Sequence, residues 1–306
     1  MPAPRRLAQM RPLVEPLTGV RHAREAAPDT STADRLADRE GYRADFLSGF
    51  EVPLPLPAGA RAEDVTDVPG SPANRLDYTH FSIVMSRSRR LAMLTALNLD
   101  GAELVSVPRG GERWKYDDRI PHELQIGEAL YADNPVDRGH LVRRTAPNWG
   151  EHAARANDDT FHFTNCAPQM AGFNQNNWLD LENYLLDHAR ADGQRLSIFT
   201  GPVFDEEDRC YRGVQIPRAF WKVVAFTAED GTPRATAYMI DQAESLSQLG
   251  FMFGQFRTYQ RSVRRVEALV GLDFGELSQF DGFSGEERAS GVQIEAEIRG
   301  PEDIRL

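Results

Sequence analysis

The string Asp137-Arg138-Gly139-His140 holds the residues of this chain whose types and spacing most directly suggest chemistry. A histidine has an unperturbed pKa that suits proton abstraction near neutral pH, which makes His140 a candidate base. Arg138 carries a planar fork of donors that fits a phosphate group, and Gly139 permits a close backbone approach. The same residues could form an ordinary loop with a capping aspartate and a solvated arginine. The string alone leaves both interpretations open.

A second polar segment follows 25 residues after the histidine. Thr164-Asn165-Cys166-Ala167-Pro168-Gln169 comes at the end of a predicted strand, and Asn174 stands at the start of a predicted helix. Glu182 lies eight residues beyond Asn174, about two helical turns, so the two side chains lie within a quarter turn of each other. Taken separately, such an asparagine is usually an N-cap and such a glutamate is usually solvated. Their combination with the first string is what indicates a site.

Together these segments resemble the DNA/RNA non-specific endonuclease family, the ββα-metal (His-Me finger) nucleases of the Serratia nuclease and endonuclease G type. The family pattern is Asp-Arg-Gly-His, then a Thr/Ser-Asn-x-x-Pro-Gln strand end, then an Asn-(Gln/Arg)-x-x-Trp-x-x-Leu-Glu helix. This chain contains all three in that order. The resemblance covers about residues 81–275 and leaves the first 70 outside, and the combination is far more specific than any one string.

The resemblance implies a hydrolytic metal site. In it, His140 is the general base that deprotonates the attacking water. Asn174 is the single direct protein ligand of Mg²⁺, and Glu182 orients metal-bound waters without touching the ion. Mn²⁺ accepts similar oxygen ligands and is expected to substitute. The implied reaction cleaves phosphodiester bonds of DNA and RNA to 5′-phosphate and 3′-hydroxyl ends, with little regard for sequence.

The same resemblance implies residues that position the base and the substrate. Asn165 and Arg138 would hold His140 and the phosphate in place, whereas Asp137 would brace the loop. All three are therefore counted with the catalytic group.

An upstream arginine of the family contacts the scissile phosphate, shortly before an aromatic-x-x-Asp motif. Arg109 and Arg113 are the two candidates here, because Trp114-Lys115-Tyr116-Asp117 follows them. Neither spacing reproduces the family pattern without a small shift, and Arg113 is preferred.

The strands and helices predicted around these residues indicate an α+β fold. In it, helices flank a central antiparallel sheet, and a strand–loop–helix unit spans Asp137 to Glu182. Apolar runs predict the following strands: Phe81–Met85, Leu91–Leu99, Thr160–Thr164, Arg195–Thr200, Phe220–Phe226, Arg234–Ile240 and a last one at Val292–Ile298. Helical spacing predicts three helices: Glu151–Asp158, Asn174–Ala191 with His188 on its apolar stripe, and Thr258–Val270.

Three regions are expected along the chain. Residues 1–72 form an N-terminal arm, partly disordered or docked as an extended strap, because they are rich in proline, alanine and charged residues. Residues 73–285 form the endonuclease domain, and residues 286–306 form a tail that packs on it. The arm contains no proposed ligand or base. It is therefore expected to be dispensable for chemistry and to be the contact for a protein partner or regulator.

Composition limits location and partners. The chain is 41% hydrophobic and 26% charged, as in ordinary globular proteins, and no stretch reaches the roughly 18 apolar residues of a membrane span. The N-terminus lacks the apolar segment of a secretory signal, so a cytoplasmic location is expected, with organellar import left open. Two cysteines without CxxC spacing predict neither a zinc knuckle nor a disulfide framework. A net charge of -11 does not exclude nucleic acid, since a local basic face can bind it.

Other function classes are less favoured. The chain has no HExxH, GxSxG or P-loop string, which disfavours zinc proteases, serine hydrolases and P-loop NTPases. Two alternatives stay open: a family member that binds nucleic acid or protein with little or no cleavage, and a phosphodiesterase of small nucleotides. The arginines at 87–90 and 261–265 form either a nucleic-acid face or solvated charge runs. A homodimer is compatible with the sequence.

Overall fold

The computed structural model describes residues 29–111, 113–133, 136–170, 177–242, 257–298 and 303. For residues 177–180 and 257 it describes the backbone alone. The strands of this part of the chain, in order, are β1 (Asp29–Ser31), β2 (Leu56–Pro57), β3 (Leu76–Tyr78), β4 (Phe81–Met85), β5 (Ala92–Asp100), β6 (Lys115–Asp117), β7 (Val136–His140), β8 (Cys166–Met170), β9 (Arg195–Val203), β10 (Arg209–Tyr211), β11 (Val214–Ile216), β12 (Ala219–Thr227), β13 (Pro233–Asp241), β14 (Arg257–Arg261), β15 (Leu272–Asp273) and β16 (Glu295–Ile298). The α-helices are α1 (Ala33–Leu36), α2 (Ala60–Glu63), α3 (Glu128–Tyr131), α4 (Ala153–Asp159), α5 (Asn177–Asp192), α6 (Val263–Val270) and α7 (Gly282–Ser290).

An eight-stranded antiparallel sheet lies at the centre, in the order β16-β14-β13-β12-β9-β5-β4-β3. Its middle strands are covered on both faces, which explains why they appear in the sequence as nearly continuous apolar runs. Along β12, Trp221 and Val223 face one hydrophobic core while Phe220 and Val224 face the other. The predicted α+β fold with a central antiparallel sheet is confirmed.

The two cores are closed by different parts of the chain. Helix α5 covers one face with Leu181, Leu185 and Ala189. Helix α6 and the segment 42–52 cover the opposite face. Because α5 carries Glu182, the packing of this helix fixes that residue against the sheet.

Much of the N-terminal arm belongs to the second of these cores. Tyr42, Phe46, Phe50 and Val52 are buried there, and the Tyr42 hydroxyl donates to the Val52 carbonyl at 2.7 Å. Strand β1 pairs in parallel with β6, and β2 pairs with β15. Residues 42–52 of the arm are thus part of the hydrophobic interior, whereas the dispensability of the arm for chemistry stays a prediction.

Three local predictions are wrong. The predicted strand Thr160–Thr164 is not observed: residues 163–165 form a 3₁₀ helix, and strand β8 begins only at Cys166. The Asn165 side-chain amide donates to the Thr160 carbonyl, which stabilises this turn of the backbone. Residues 257–261 form an edge-side strand, and a helix begins only at Val263, after the Ser262 hydroxyl caps it by accepting from the Arg265 N–H. His188 is exposed rather than on the apolar stripe of α5.

Candidate active site

Strands β7 and β8 form an antiparallel pair that leads towards α5, which gives a strand–strand–helix unit. The register places His140 opposite Cys166 and Gly139 opposite Ala167. A Cβ atom at Gly139 would lie 2.0 Å from Oε1 of the fully buried Gln169, so a larger residue there would displace that side chain. Asn174, the predicted metal ligand, lies outside the described residues.

His140 is the last residue of β7, and aromatic side chains surround its imidazole ring. Its ring centroid lies 4.8 Å from that of Trp114 and 5.0 Å from that of Phe161, which meets it edge-on. The residue is half-buried, and within the described part of the chain its Nε2 atom is buried without a hydrogen-bond partner. Burial, followed by the charges of Arg144 and Arg109, lowers the pKa of His140 to about 3. The imidazole is therefore neutral at neutral pH.

Asn165 clamps the backbone that follows the histidine. Its Oδ1 accepts from the Val142 N–H at 2.8 Å, and its Nδ2 donates to the carbonyls of Val142 and Thr160 at 2.9 and 3.0 Å. The side chain is completely buried. Because these bonds fix the chain two residues beyond His140, Asn165 can act on the imidazole through the backbone.

Arg138 and Asp137 occupy the same strand with different surroundings. Arg138 forms an ion pair with Glu128 of α3, and its guanidinium lies 5.3 Å from the ring centroid of Tyr131. Asp137 lies opposite Gln169 in the strand pair. The Arg138 charge is therefore balanced by a carboxylate, and the contact braces β7 against α3.

Glu182 is buried and not the solvated residue that an isolated helical glutamate usually is. Its Oε1 lies 3.4 Å from the Nζ atom of Lys222 on β12. Lys222 also donates to the Thr200 hydroxyl of β9 at 2.9 Å. Burial lowers the pKa of Lys222, while the Glu182 carboxylate opposes that shift. In the sequence, a lysine inside an otherwise apolar strand is itself a signal of a buried charge.

The two arginine candidates lie on the loop that precedes Trp114, and both are exposed. Arg144 ties this loop to α4, since it donates to the Val107 carbonyl at 3.3 Å and to Oδ1 of Asn157 at 2.8 Å. The charge of Arg109 reaches His140, as the lowered pKa shows. Which of the two arginines contacts the phosphate, with Arg113 preferred from the sequence, stays a prediction.

The arginines at 87–90 contact other parts of the described fold, and a nucleic-acid face there stays a prediction. Arg87 and Arg90 donate to the carbonyls of Glu63 and Gly213, at 2.7 and 2.8 Å. Arg89 forms a buried ion pair with Asp208. Arg89 is therefore paired with a carboxylate, whereas bonds to carbonyls hold Arg87 and Arg90 in place without neutralising their charges.

The fold and the site together define a ββα-metal nuclease architecture. Residues 59–279 match the family model described as "DNA/RNA non-specific endonuclease". The chain belongs to this family, which confirms the resemblance predicted from the sequence.

Individual relatives agree with this assignment. The chain is 40% identical over 295 residues to "Uncharacterized protein y4fB" of Sinorhizobium fredii (strain NBRC 101917 / NGR234), covering 89% of this chain and 44% of that protein. It is 30% identical over 142 residues to human "Endonuclease G, mitochondrial", covering 42% of this chain and 46% of the relative. It is 29% identical over 170 residues to the "Nuclease" of Serratia marcescens, with 52% and 59% covered. The chain thus spans about half the length of these relatives.

A solved structure supports the fold. The chain is similar to one in the "Crystal structure of the EndoG/EndoGI complex", with a TM-score of 0.53 and 20% sequence identity, covering 66% of this chain and 86% of that one. At this identity the likeness shows the shared architecture.

Two further observations concern location and cysteine chemistry. No helix in the described ranges is both long and apolar enough to cross a membrane. Cys166 is buried and Cys210 is exposed, and both are free thiols. The expectation of no disulfide framework agrees with this.

The donors at the site fit a hard, hydrated cation. Glu182 offers carboxylate oxygen, the ligand type that Mg²⁺ prefers. Among the described residues, no group of three or more His, Cys, Asp or Glu side chains is arranged to hold a metal.

Proposed function

We propose that this chain is a metal-dependent endonuclease that hydrolyses phosphodiester bonds of DNA and RNA without sequence specificity. The observation that carries the proposal is the His140 imidazole, neutral and with a buried, unpartnered Nε2 in the described structure. It ends the β7 strand of a family whose fold the chain shares. A neutral imidazole in that position can accept the proton of an attacking water.

His140 becomes a stronger base when a phosphate arrives. Burial and two arginine charges disfavour its protonated form in the protein alone. An anionic phosphodiester near the ring opposes those charges and raises the pKa of His140. The water oxygen then attacks phosphorus as its proton passes to the imidazole. The bond to the 3′-oxygen breaks, and the departing oxygen takes a proton from solvent water, which leaves 5′-phosphate and 3′-hydroxyl ends.

Asn174 and Glu182 are the residues proposed to hold Mg²⁺, with Mn²⁺ as a substitute. Glu182 would accept hydrogen bonds from waters on the ion, and Asn174 would bind it directly. When bound, the ion stabilises negative charge on the phosphorane and on the leaving oxygen.

The residues around the base support recognition of the backbone and not of base sequence. Arg109 is proposed to contact the scissile phosphate, with Arg113 as the alternative from the sequence. Asn165 positions His140 through the backbone, and Arg138 supports β7 through Glu128. Contacts to phosphate are shared by every sequence, so broad cleavage is expected. A cytoplasmic location, a homodimer and a regulator bound through residues 1–72 remain part of the proposal.

The proposal is tested with the full chain on three substrates: supercoiled plasmid, single-stranded RNA and bis(p-nitrophenyl) phosphate. We expect both polymers to be cut with Mg²⁺ or Mn²⁺, cleavage to stop in excess chelator, and the new 5′ ends to carry phosphate. Polymer binding without cleavage would instead identify a binding protein. Hydrolysis of the small diester alone would identify a phosphodiesterase of small nucleotides.

A further inference from the structure

Three polar side chains from separate elements meet behind the proposed metal site. Glu182 comes from α5, Lys222 from β12 and Thr200 from β9, and they are 9%, 4% and 2% exposed. Strands β9 and β12 pair Lys222 directly with Thr200. The three also line a cavity of about 20 Å³, together with Arg143 and apolar residues of the sheet. This arrangement is a buried polar contact between the sheet and the helix.

We propose that Lys222 is a positioning residue, which holds the Glu182 carboxylate oriented towards the waters of the metal. The inference rests on the proposed function and assigns a role to a residue that the catalytic motifs do not include. It concerns how the chain prepares Glu182, and Lys222 itself does not touch substrate.

Packing alone does not account for a lysine at this point. Residues 220–226 of β12 are otherwise apolar, and Lys222 faces the same core as Phe220 and Val224. Replacing a buried ion pair with apolar residues of similar volume is often neutral or stabilising. Only 2 of the chain's 35 lysines and arginines are lysines, at 115 and 222. A buried ammonium in this strand is therefore better explained by the carboxylate that it faces.

The contact geometry shows how the lysine would act. Thr200 accepts one hydrogen bond from Nζ at 2.9 Å and thereby limits where the ammonium can move. The ammonium then lies 3.4 Å from Oε1 of Glu182. A contact to Oε1 restricts rotation of the planar carboxylate and so limits the directions in which Oε2 can point. Without the ammonium, the Glu182 carboxylate would be free to rotate away from the direction in which it accepts hydrogen bonds from bound water.

A compact ammonium suits this place better than a guanidinium. The cavity at the contact holds only about 20 Å³, which is close to the volume needed for one water-sized group. A planar guanidinium would need more room and a different donor geometry. Lys222→Arg is therefore expected to restore only part of the function lost in a neutral variant.

The two-lysine composition allows a direct spectroscopic test on the unmodified full chain. Protein labelled with ¹³C at lysine Cε should give two lysine signals, and Lys115→Met assigns them by removing one. We expect Mg²⁺ to shift the Lys222 signal and to leave the Lys115 signal in place. Glu182→Gln should move the Lys222 signal in the absence of metal and reduce its response to Mg²⁺.

Metal affinity supplies the second readout. We expect Lys222→Met to weaken Mn²⁺ binding, measured by electron paramagnetic resonance, by about 10- to 100-fold, the range seen when outer-shell partners of a metal site are removed. It should lower kcat much more than it raises KM for DNA. Lys115→Met is the matched control, because Lys115 is also paired with a carboxylate, Asp158, outside this contact.

The outcomes separate the two proposals. Failure of the wild-type chain to bind Mn²⁺ or cut DNA would remove the proposed function and this inference with it. Wild-type cleavage combined with unchanged Mn²⁺ affinity in Lys222→Met would overturn the inference and leave the function intact. If Lys222→Met does not fold, the wild-type spectrum decides, since an unmoved Lys222 signal at saturating Mg²⁺ also overturns the inference.

Discussion

A chain that begins near Pro69 should fail to fold, although all its proposed catalytic residues remain. The truncation removes five buried apolar side chains from the core beside the sheet: Tyr42, Phe46, Leu47, Phe50 and Val52. Burial of each such side chain contributes roughly 1.5–3 kcal/mol. Their joint loss is on the order of 10 kcal/mol, comparable with the whole stability of about 5–15 kcal/mol that domains possess.

Point variants test the same reasoning without truncation. Phe50 is 8% exposed, and its ring centroid lies 5.0 Å from that of Phe280, so Phe50→Ala should cost about 3–5 kcal/mol. Leu56→Ala is the matched control, because Leu56 is 64% exposed and its loss should change stability by less than about 0.5 kcal/mol.

Urea unfolding followed by circular dichroism measures both variants and the truncated chain. A chain starting at Asp29 retains every described contact and supplies the reference. The reasoning is refuted if the chain starting near Pro69 unfolds at the same urea concentration as that reference and cuts DNA equally well.

Three further predictions concern the residues around the base. Asn165→Ala should lower the cleavage rate, and it should lower the free energy of unfolding by roughly 2–4 kcal/mol because it leaves buried backbone groups unpaired. Single-turnover cleavage and urea unfolding measure the two effects, and unchanged values in both would contradict the prediction. Since the pKa of His140 is about 3 in the folded protein and about 6.5 when unfolded, the unfolded state binds more protons between these values. Stability should therefore fall as pH drops from about 6.5 towards 3. Trp114→Ala should lessen the contribution of His140 to that fall and move the acid limb of the activity profile to higher pH. A pH profile identical to that of wild type would count against the proposed role of Trp114. Arg109→Ala should raise KM for DNA and flatten its salt dependence more than Arg113→Ala does, and the reverse order would restore the preference for Arg113.

The strands of the central sheet could be predicted because burial on both faces produces long apolar runs. Phe81–Met85 forms a strand with the predicted bounds, and the other middle strands overlap their predictions closely. The Thr258–Val270 prediction failed at residues 257–261, where Thr258 and Gln260 are buried at alternate positions, as in a strand. Ser262, a good N-cap residue, was the available signal for the later helix start.

The surroundings of the candidate base required the fold. Trp114 and Phe161 come from segments far from His140 along the chain, and nothing in local spacing indicates that their rings meet it. The contact of Lys222 with Glu182 depends on how β12 and α5 pack against each other. The motif strings identified candidate residues, whereas tertiary packing determines their protonation, orientation and partners.

The central claim is that the imidazole of His140 takes the proton of the attacking water. The most direct measurement is single-turnover plasmid cleavage by His140→Ala, with and without added imidazole, in a variant shown to be folded by circular dichroism. We predict a loss of several orders of magnitude, since the base is removed while the fold remains, and partial recovery as imidazole is added. Recovery should grow with the fraction of imidazole that is unprotonated. A folded His140→Ala protein that cuts DNA at the wild-type rate without imidazole would contradict the account.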